Sequence, residues 1–277
     1  MARIYQRHID EEIISGMRLG RHVRFDSRSL MYLYQAPAER VIEAKLWPRN
    51  IAILDQGELG SCTGNALTGA LGTDPDYEGL PSGHPALDEN EAVALYSAAT
   101  QLDDYDGSYP PDDTGSDGIS VCKAGQQAGL ISGYQHCTDL ATTEQALQDG
   151  PVIVGVNWYS SFDTPASDGT VSISKHAYVR GGHEFEVRGI DPASKMFFAD
   201  NSWAADWGNK GSFQFSYDTM SRLLSEQGDC TVPVPAAVPA PTPTPTPTPD
   251  NDLLDELIAL IKQDWTAVTQ WLADHGL

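Results

Sequence analysis

Residues 55–65, DQGELGSCTGN, lead through a turn into a run of small and apolar helix formers that follows Cys62. Because Gly72 stands at the end of that run, we predict a helix that begins at Cys62 and ends at Gly72. Free N–H groups and the positive dipole end of a helix N-terminus stabilise a thiolate, which makes Cys62 a candidate nucleophile. Taken alone, a cysteine in a Gly/Ser turn is more often a small buried residue.

Gln56 lies six residues before Cys62, and the glycines between them allow the chain to turn back. If it does, the Gln56 side-chain amide and the Cys62 backbone N–H can donate to the same oxyanion. Gln56 is therefore a candidate oxyanion-hole donor.

Two later segments supply a histidine and an asparagine. His183 follows Gly181-Gly182 at the start of an alternating run, and glycines there let a substrate or a facing lobe approach closely. Asn201 ends another strand-like run and is followed by Trp203. A neutral Asn accepts the imidazole N–H and turns the other ring nitrogen toward a thiol, while a neighbouring Trp shields that hydrogen bond.

The order of these residues is more informative than any one of them. A lone histidine at a strand start, such as His183 or the competing His176, is usually structural, and so is an Asn at a turn. His183 follows Cys62 by 121 residues, and Asn201 follows 18 residues later. The joint pattern predicts a Cys-His-Asn nucleophilic site.

These residues carry a resemblance to the papain family that runs from about Trp47 to Pro233. The form is most similar to that of bacterial, archaeal and phage members, and nearest to actinobacterial and actinophage peptidases. The segments that match are Gln56-Gly57, Gly60-Ser61-Cys62, Gly182-His183, Asn201-Ser202-Trp203, Trp207-Gly208 and Gly211.

The resemblance implies a papain-like two-lobed α+β fold, in which a helical lobe faces an antiparallel β-barrel-like lobe. It also implies a cysteine endopeptidase that works through a thioester intermediate without a metal or organic cofactor. Cys62 would be the nucleophile, His183 the general base and acid, and Asn201 the residue that orients His183. Gln56 would hold the oxyanion, and Trp203 would be the shield.

Four positions depart from the family pattern. Leu59 and Thr63 replace the first Cys and the aromatic residue of the usual signature. Ala204 replaces a glycine. Glu184 follows His183 where a small apolar residue is usual, so its carboxylate either raises the imidazole pKa or points to the opposite face of the strand. No long inhibitory pro-segment is evident.

The substrate cleft is expected to pass Gly115-Ser116 on one lobe and Gly182 on the other. The acidic stretch 103–117 does not spell an EF-hand and favours a solvated face over a calcium site. Likewise, Cys122 and the pair His136-Cys137 favour core or surface positions over a zinc site.

Helical patterns precede strand patterns along the chain, which is typical of an α+β domain. Helices are predicted within 87–100, 119–129 and 142–150, and strands within 151–159, 182–191, 195–203 and 211–218. The predicted organisation is an N-terminal basic arm (1–45), a peptidase-like domain (46–232), a Pro/Thr-rich linker (233–250) and an amphipathic C-terminal helix (251–277).

The net charge of −22 argues against nucleic acid and anionic membranes as partners. Residues 1–50 carry nine Lys/Arg and six Asp/Glu, a net +3 that leaves −25 for the rest of the chain. This asymmetry is equally consistent with two arrangements of residues 1–45, which are an arm or a short pro-like segment. They lie across the acidic body in the first arrangement and are solvated on their own in the second.

Further interpretations remain open. The expected partner is a protein or peptide substrate, and the C-terminal helix is expected to dock on its own domain, on a second copy or on another protein. Lacking a signal-peptide pattern and a disulfide framework, the chain is expected to be made in a reducing cytoplasm, with virion association or release by lysis open. Alternatives to the peptidase are a virion or surface protein that uses the fold for binding, and a lytic enzyme that cleaves cell-wall peptides.

Overall fold

The computed structural model describes residues 4–37, 40–238 and 259. Three helices form one lobe. The first of them is built largely from small residues, and the other two pack against it. A side chain at Gly64 would place its Cβ 2.1 Å from the Ala92 carbonyl, so this glycine allows the first two helices to touch. These helices are α1 (Cys62–Leu71), α2 (Glu89–Thr100) and α3 (Gly118–Gln127). Their shared core includes Leu67, Leu71, Leu95 and Val121.

An antiparallel sheet of seven strands forms the second lobe. The strands are β3 (Lys45–Leu46), β4 (Ile131–Cys137), β5 (Val152–Tyr159), β6 (Val179–Asp191), β7 (Met196–Asp200), β8 (Ser212–Ser216) and β9 (Asp229–Pro235). Their order in the sheet is β4-β9-β5-β6-β7-β8, and β3 pairs with β6. Alternating apolar residues from these strands fill a separate core that includes Val154, Phe185 and Phe213.

Two more helices and the N-terminal elements complete the described part of the chain. α4 (Leu140–Ala146) and α5 (Tyr217–Ser225) lie on the sheet lobe. β1 (Ile4–Arg7) and β2 (Val23–Asp26) pair antiparallel, and a 3-10 turn (Ser27–Tyr32) follows them. Among the described residues, no helix is long and apolar enough to cross a membrane.

The predicted helix that begins at Cys62 is present, and Gly72 caps it. The short helix near residue 142 begins earlier than its pattern suggested, because Asp139 is its N-cap and Thr142 completes a capping box. β4, β9 and α5 were not anticipated. β9 runs to Pro235, so the sheet extends three residues into the predicted linker. The rest of that linker from 239 and, except for Ala259, the predicted C-terminal helix lie outside the described residues.

Candidate active site

Cys62 is the first residue of α1, and its thiol is fully buried. Burial raises the pKa of the Cys62 thiol well above its usual value, and the negative charge of Glu184 adds to the rise. The backbone N–H of Glu184 lies near the Cys62 sulfur and opposes this rise in pKa. Since Glu184 directly follows His183, Cys62 lies near the stretch of β6 that carries the predicted histidine, and within the described residues the His183 imidazole makes no hydrogen bond to the thiol.

His183 and Asn201 lie on the paired strands β6 and β7, with Asn201 one residue past the end of β7. The His183 Nε2–H donates to Asn201 Oδ1 at 2.7 Å, and the backbone N–H of Ser202 donates to the same oxygen at 2.8 Å. This tautomer leaves His183 Nδ1 as an acceptor, and no donor in the described part of the chain reaches it. Burial lowers the pKa of His183 to about 3, against the effect of the Asn201 bond.

Two tryptophans enclose the imidazole of His183. The Trp203 ring centroid lies 5.0 Å from it, as expected for the predicted shield, and Trp158 makes an edge contact at 4.8 Å. Sequence reasoning missed Trp158. Its signal is in the strand pairing, because Val156 of β5 lies opposite His183 and Trp158 follows on the same face two residues later.

Gln56 is held close to this pair of strands. Its Oε1 accepts from Ser202 Oγ at 2.7 Å, and its Nε2 donates to the Leu59 carbonyl at 2.8 Å. The same Nε2 also donates to the carbonyl of Leu19 at 3.2 Å. The predicted oxyanion-hole donor thus contacts a backbone carbonyl of the N-terminal segment.

The N-terminal segment between β1 and β2, residues 8–22, crosses the cleft between the two lobes, and we call it the strap. Backbone N–H groups of Gly20 and Arg21 donate to the Gly182 carbonyl at 3.1 and 2.9 Å. On the other wall, His22 N–H donates to the Ser116 carbonyl at 2.7 Å, and Ser116 N–H donates to the Gly20 carbonyl at 2.8 Å. The strap therefore contacts both predicted walls of the cleft.

Glycines make this close approach possible. A Cβ at Gly20 would lie 2.2 Å from the Gly60 carbonyl oxygen, and Gly20 also has a φ of +129°. A Cβ at Gly182 would lie 2.1 Å from the Arg21 carbonyl, and one at Gly115 would lie 2.3 Å from the Gly20 carbonyl. The cleft has no room for any residue other than glycine at these contacts.

The contacts of the strap show where part of the predicted N-terminal arm, residues 1–45, lies. The sequence allowed either a basic arm that lies across the acidic body or an arm that is solvated on its own. The observed contacts match the first of these. Arg18 pairs with Asp113 at 3.0 Å and Arg24 lies 3.3 Å from Asp104. The sequence left open whether residues 1–45 are an arm or a short pro-like segment, because the pattern of a short, mixed segment does not reveal which surface it covers.

Glu184 points away from the imidazole of His183. Its side chain is fully buried on the opposite face of β6, where Asp229, Arg21 and Asp117 act on it. Alternation along the strand decided between the two possibilities left open for this carboxylate.

The structure gives no support to a metal centre at the positions weighed in the sequence. Within residues 4–37 and 40–238, no group of three or more His, Cys, Asp or Glu side chains is arranged to hold an ion. Cys122 and Cys137 are buried free thiols.

Comparisons with known proteins concern the fold. No protein-family profile matches the sequence, and a search of curated proteins finds no significant match. The structure is similar to that of xylellain, a cysteine protease from Xylella fastidiosa, with a TM-score of 0.56 and 17% identity over 82% of this chain and 95% of that one. It is also similar to digestive procathepsin L 3 of Tenebrio molitor larval midgut, with a TM-score of 0.54 and 16% identity over 75% of this chain and 74% of that one. With its helical lobe facing an antiparallel sheet, the chain has the papain-like cysteine protease fold.

Proposed function

We propose that the protein is a cysteine peptidase that hydrolyses peptide bonds with Cys62, His183 and Asn201. The observation that carries the proposal is the state of the His183 ring. Its Nε2 is held by Asn201, its Nδ1 has no partner in the described chain, and the next backbone N–H contacts the Cys62 sulfur. A fixed imidazole with one free nitrogen beside a thiol is the arrangement that activates a sulfur nucleophile.

In this mechanism, His183 Nδ1 takes the proton of Cys62, and the thiolate attacks the substrate carbonyl carbon. Gln56 and the Cys62 backbone N–H donate to the oxyanion that forms. His183 then gives the proton to the leaving amine, which leaves a thioester on Cys62. Water, deprotonated by His183, attacks the thioester and releases the acid and the thiol.

We further propose that the strap holds the enzyme inactive. With the strap in place, burial favours the neutral forms of both Cys62 and His183, so the reactive ion pair is absent. The Leu19 carbonyl also contacts the amide of Gln56, where the substrate carbonyl would be held. Displacement of the strap readmits water to both groups and frees the donor.

The experiment compares the wild-type chain with the full-length Gly20→Ala variant, in which the new Cβ would collide with the Gly60 backbone. An epoxysuccinyl thiol reagent, read by intact mass, should label Cys62 much faster in Gly20→Ala, and the variant should cleave fluorescent casein. Cys62→Ala in that background removes the label and the cleavage, and His183→Ala slows both strongly.

Gly16→Ala is the matched control, because Gly16 also lies in the strap with a positive φ of 72° but has open space around its Cβ position. It should behave like wild type. A folded Gly20→Ala variant that neither reacts with the reagent nor cleaves casein would contradict the peptidase proposal. The proposed bacteriophage or actinobacterial origin, the cellular location and the role of residues 251–277 stay predictions.

A further inference from the structure

The side chain of Arg21 leaves the strap and enters a pocket beside Cys62. It is fully buried, at 0% side-chain exposure. Its Nη2 donates to the Asp229 carboxylate and, at 2.8 Å, to the Gln227 carbonyl. The Nε and Nη1 atoms of the guanidinium meet no acceptor within the described residues.

The opposite side of this pocket is the carboxylate of Glu184. Glu184 is 0% exposed, and neither of its oxygens receives a hydrogen bond from the described chain. Burial raises the pKa of Glu184 well above its usual value, so a cation that donates to these oxygens would stabilise the ionised carboxylate. The backbone N–H of the same residue contacts the Cys62 sulfur, which puts the pocket directly next to the nucleophile.

Two glycines make room for the charged groups. A Cβ at Gly118 would lie 2.7 Å from Glu184 Oε1 and 3.1 Å from Asp229 Oδ1. A Cβ at Gly155 would lie 2.7 Å from Arg21 Nε and 2.9 Å from Asp229 Oδ2. The two carboxylates and the Arg21 guanidinium therefore lie in one pocket. At Gly118 and Gly155 its wall has no side chain, which leaves space for these charged groups.

In this pocket the cation, Arg21, belongs to the strap, while the carboxylates belong to the two lobes. Arg21 is the cation that acts on Glu184, and Asp229 and Asp117 add negative charge to it. Asp117 is itself neutralised by Arg24, which also comes from the N-terminal segment. When the strap leaves, the described residues of the lobes retain an acidic pocket near the reactive thiol, since the cations that act on Glu184 and Asp117 both come from the N-terminal segment.

We propose that this pocket is the main specificity site of the enzyme, that it selects an arginine side chain in the substrate, and that Arg21 occupies it as a built-in substitute. The proposal rests on the proposed peptidase function and names its substrate class. Arginine fits better than lysine, because a planar guanidinium donates to Asp229 and the Gln227 carbonyl at once, as Arg21 does, and keeps two further nitrogens available for Glu184, whereas an ammonium is a compact point charge.

The first test uses the full-length Gly20→Ala variant and fluorogenic peptides that differ at one residue before the scissile bond. At each of the three positions before that bond, arginine is compared with citrulline, its neutral isostere, and with leucine. We expect one position at which arginine exceeds citrulline in kcat/KM by roughly ten- to hundredfold, the value of a charged hydrogen-bonded pair. Glu184→Gln and Asp229→Asn in the same background should bring the arginine-to-citrulline ratio close to one.

The ratio separates the two proposals. Cleavage with no preference for arginine at any position would overturn the pocket proposal and leave the peptidase standing. Absence of cleavage of every peptide by the folded variant would instead count against the peptidase.

A second test reads the pocket without catalysis. Arg21→Ala in the full chain removes the guanidinium and should lower the Tm, and millimolar ethylguanidinium should restore part of the loss while ethylammonium restores less. Arg18→Ala is the matched control, because Arg18 lies in the same segment but pairs with Glu11 and Asp113 outside the pocket. Equal responses of the Arg21→Ala and Arg18→Ala variants to ethylguanidinium would overturn the pocket proposal.

Discussion

At the scale of single residues, Asn201 Oδ1 receives two donors, the His183 imidazole N–H and the backbone N–H of Ser202. Replacing Asn201 with Ala in the Gly20→Ala background should lower kcat by about a hundredfold with little change in KM, since a misoriented base costs about that much. Steady-state kinetics on one peptide measure both constants. Asn50→Ala is the control, because the Asn50 side chain donates to Asp74 and has no contact with His183 or Gln56. Equal losses in the two variants would contradict the orienting role.

Ala204 has a φ of +60°, in the left-handed region that disfavours residues with a Cβ. The position after Asn-Ser-Trp where the family has glycine is therefore strained here. Ala204→Gly should raise the free energy of unfolding by about 0.5–1 kcal/mol, as the relief of strain exceeds the added freedom of the unfolded chain. Urea unfolding checks this value, and a destabilised variant would mean that the Ala204 methyl packs well enough to outweigh the strain.

At the scale of elements, the strap depends on a neutral His22. Its Nε2–H donates to the Thr114 carbonyl at 2.7 Å, while its Nδ1 accepts from the Ile9 N–H at 3.1 Å. Protonation of Nδ1 removes that second bond. Burial lowers the pKa of His22 from 6.5 to about 4, against the opposing effect of the Thr114 carbonyl.

The lowered pKa of His22 means that the strap should dock less strongly as the pH falls. Because the pKa of His22 is lower in the docked state, its contribution is complete above pH 6.5 and is lost as the pH falls toward 4, by at most about 3 kcal/mol. Hydrogen exchange of the Arg21 and His22 amides, corrected for intrinsic rates, should therefore accelerate with acidification. His22→Gln, which does not titrate, should show a flatter profile, and identical profiles would contradict this role.

At the scale of the whole molecule, a buried ionic network joins the segment before α1 to the sheet. Arg49 Nη1 contacts Glu186, lies 3.3 Å from Asp200 Oδ2, and shares Asp200 with Arg188 at 2.7 Å. Burial raises the pKa of Glu186 to about 7, while the positive charge of Arg49 opposes the rise. Arg49 therefore offsets the negative charge of two buried carboxylates, Glu186 and Asp200, where the segment before α1 meets the sheet.

Arg49→Ala should reduce the free energy of unfolding by about 3–5 kcal/mol, the cost of leaving buried carboxylates unpaired. Because Arg49 opposes the rise of the Glu186 pKa, its removal should raise that pKa further, so the loss should grow as the pH rises above about 7, where Glu186 ionises in the wild type. Urea unfolding at about pH 6 and about pH 8 measures both effects. Arg222→Ala, at a more exposed pair with Glu226, should cost under about 1 kcal/mol, and similar losses in both variants would contradict the network's importance.

Much of the candidate site was accessible from local sequence. A turn of glycines before a run of helix formers predicts the helix start at Cys62, and alternation predicts the strand that carries His183 and turns Glu184 away from it. Trp158 was not accessible in this way, because its contact with His183 depends on how β5 and β6 are registered. β9 was missed because its prolines resemble the linker that follows.

The sequence by itself determined the α+β class, several of the helices and strands between residues 62 and 216, and the candidate residues Gln56, Cys62, His183 and Asn201, because these depend on local propensity, periodicity and short motifs. Only the tertiary structure decided that the strap fills the cleft and that Arg21 enters a pocket made by Glu184 and Asp229. Those contacts join residues far apart in the chain, from 94 positions for His22 and Ser116 to 208 positions for Arg21 and Asp229. They arise from the packing of the two lobes against the strap, and no pattern in a short stretch of chain records such packing.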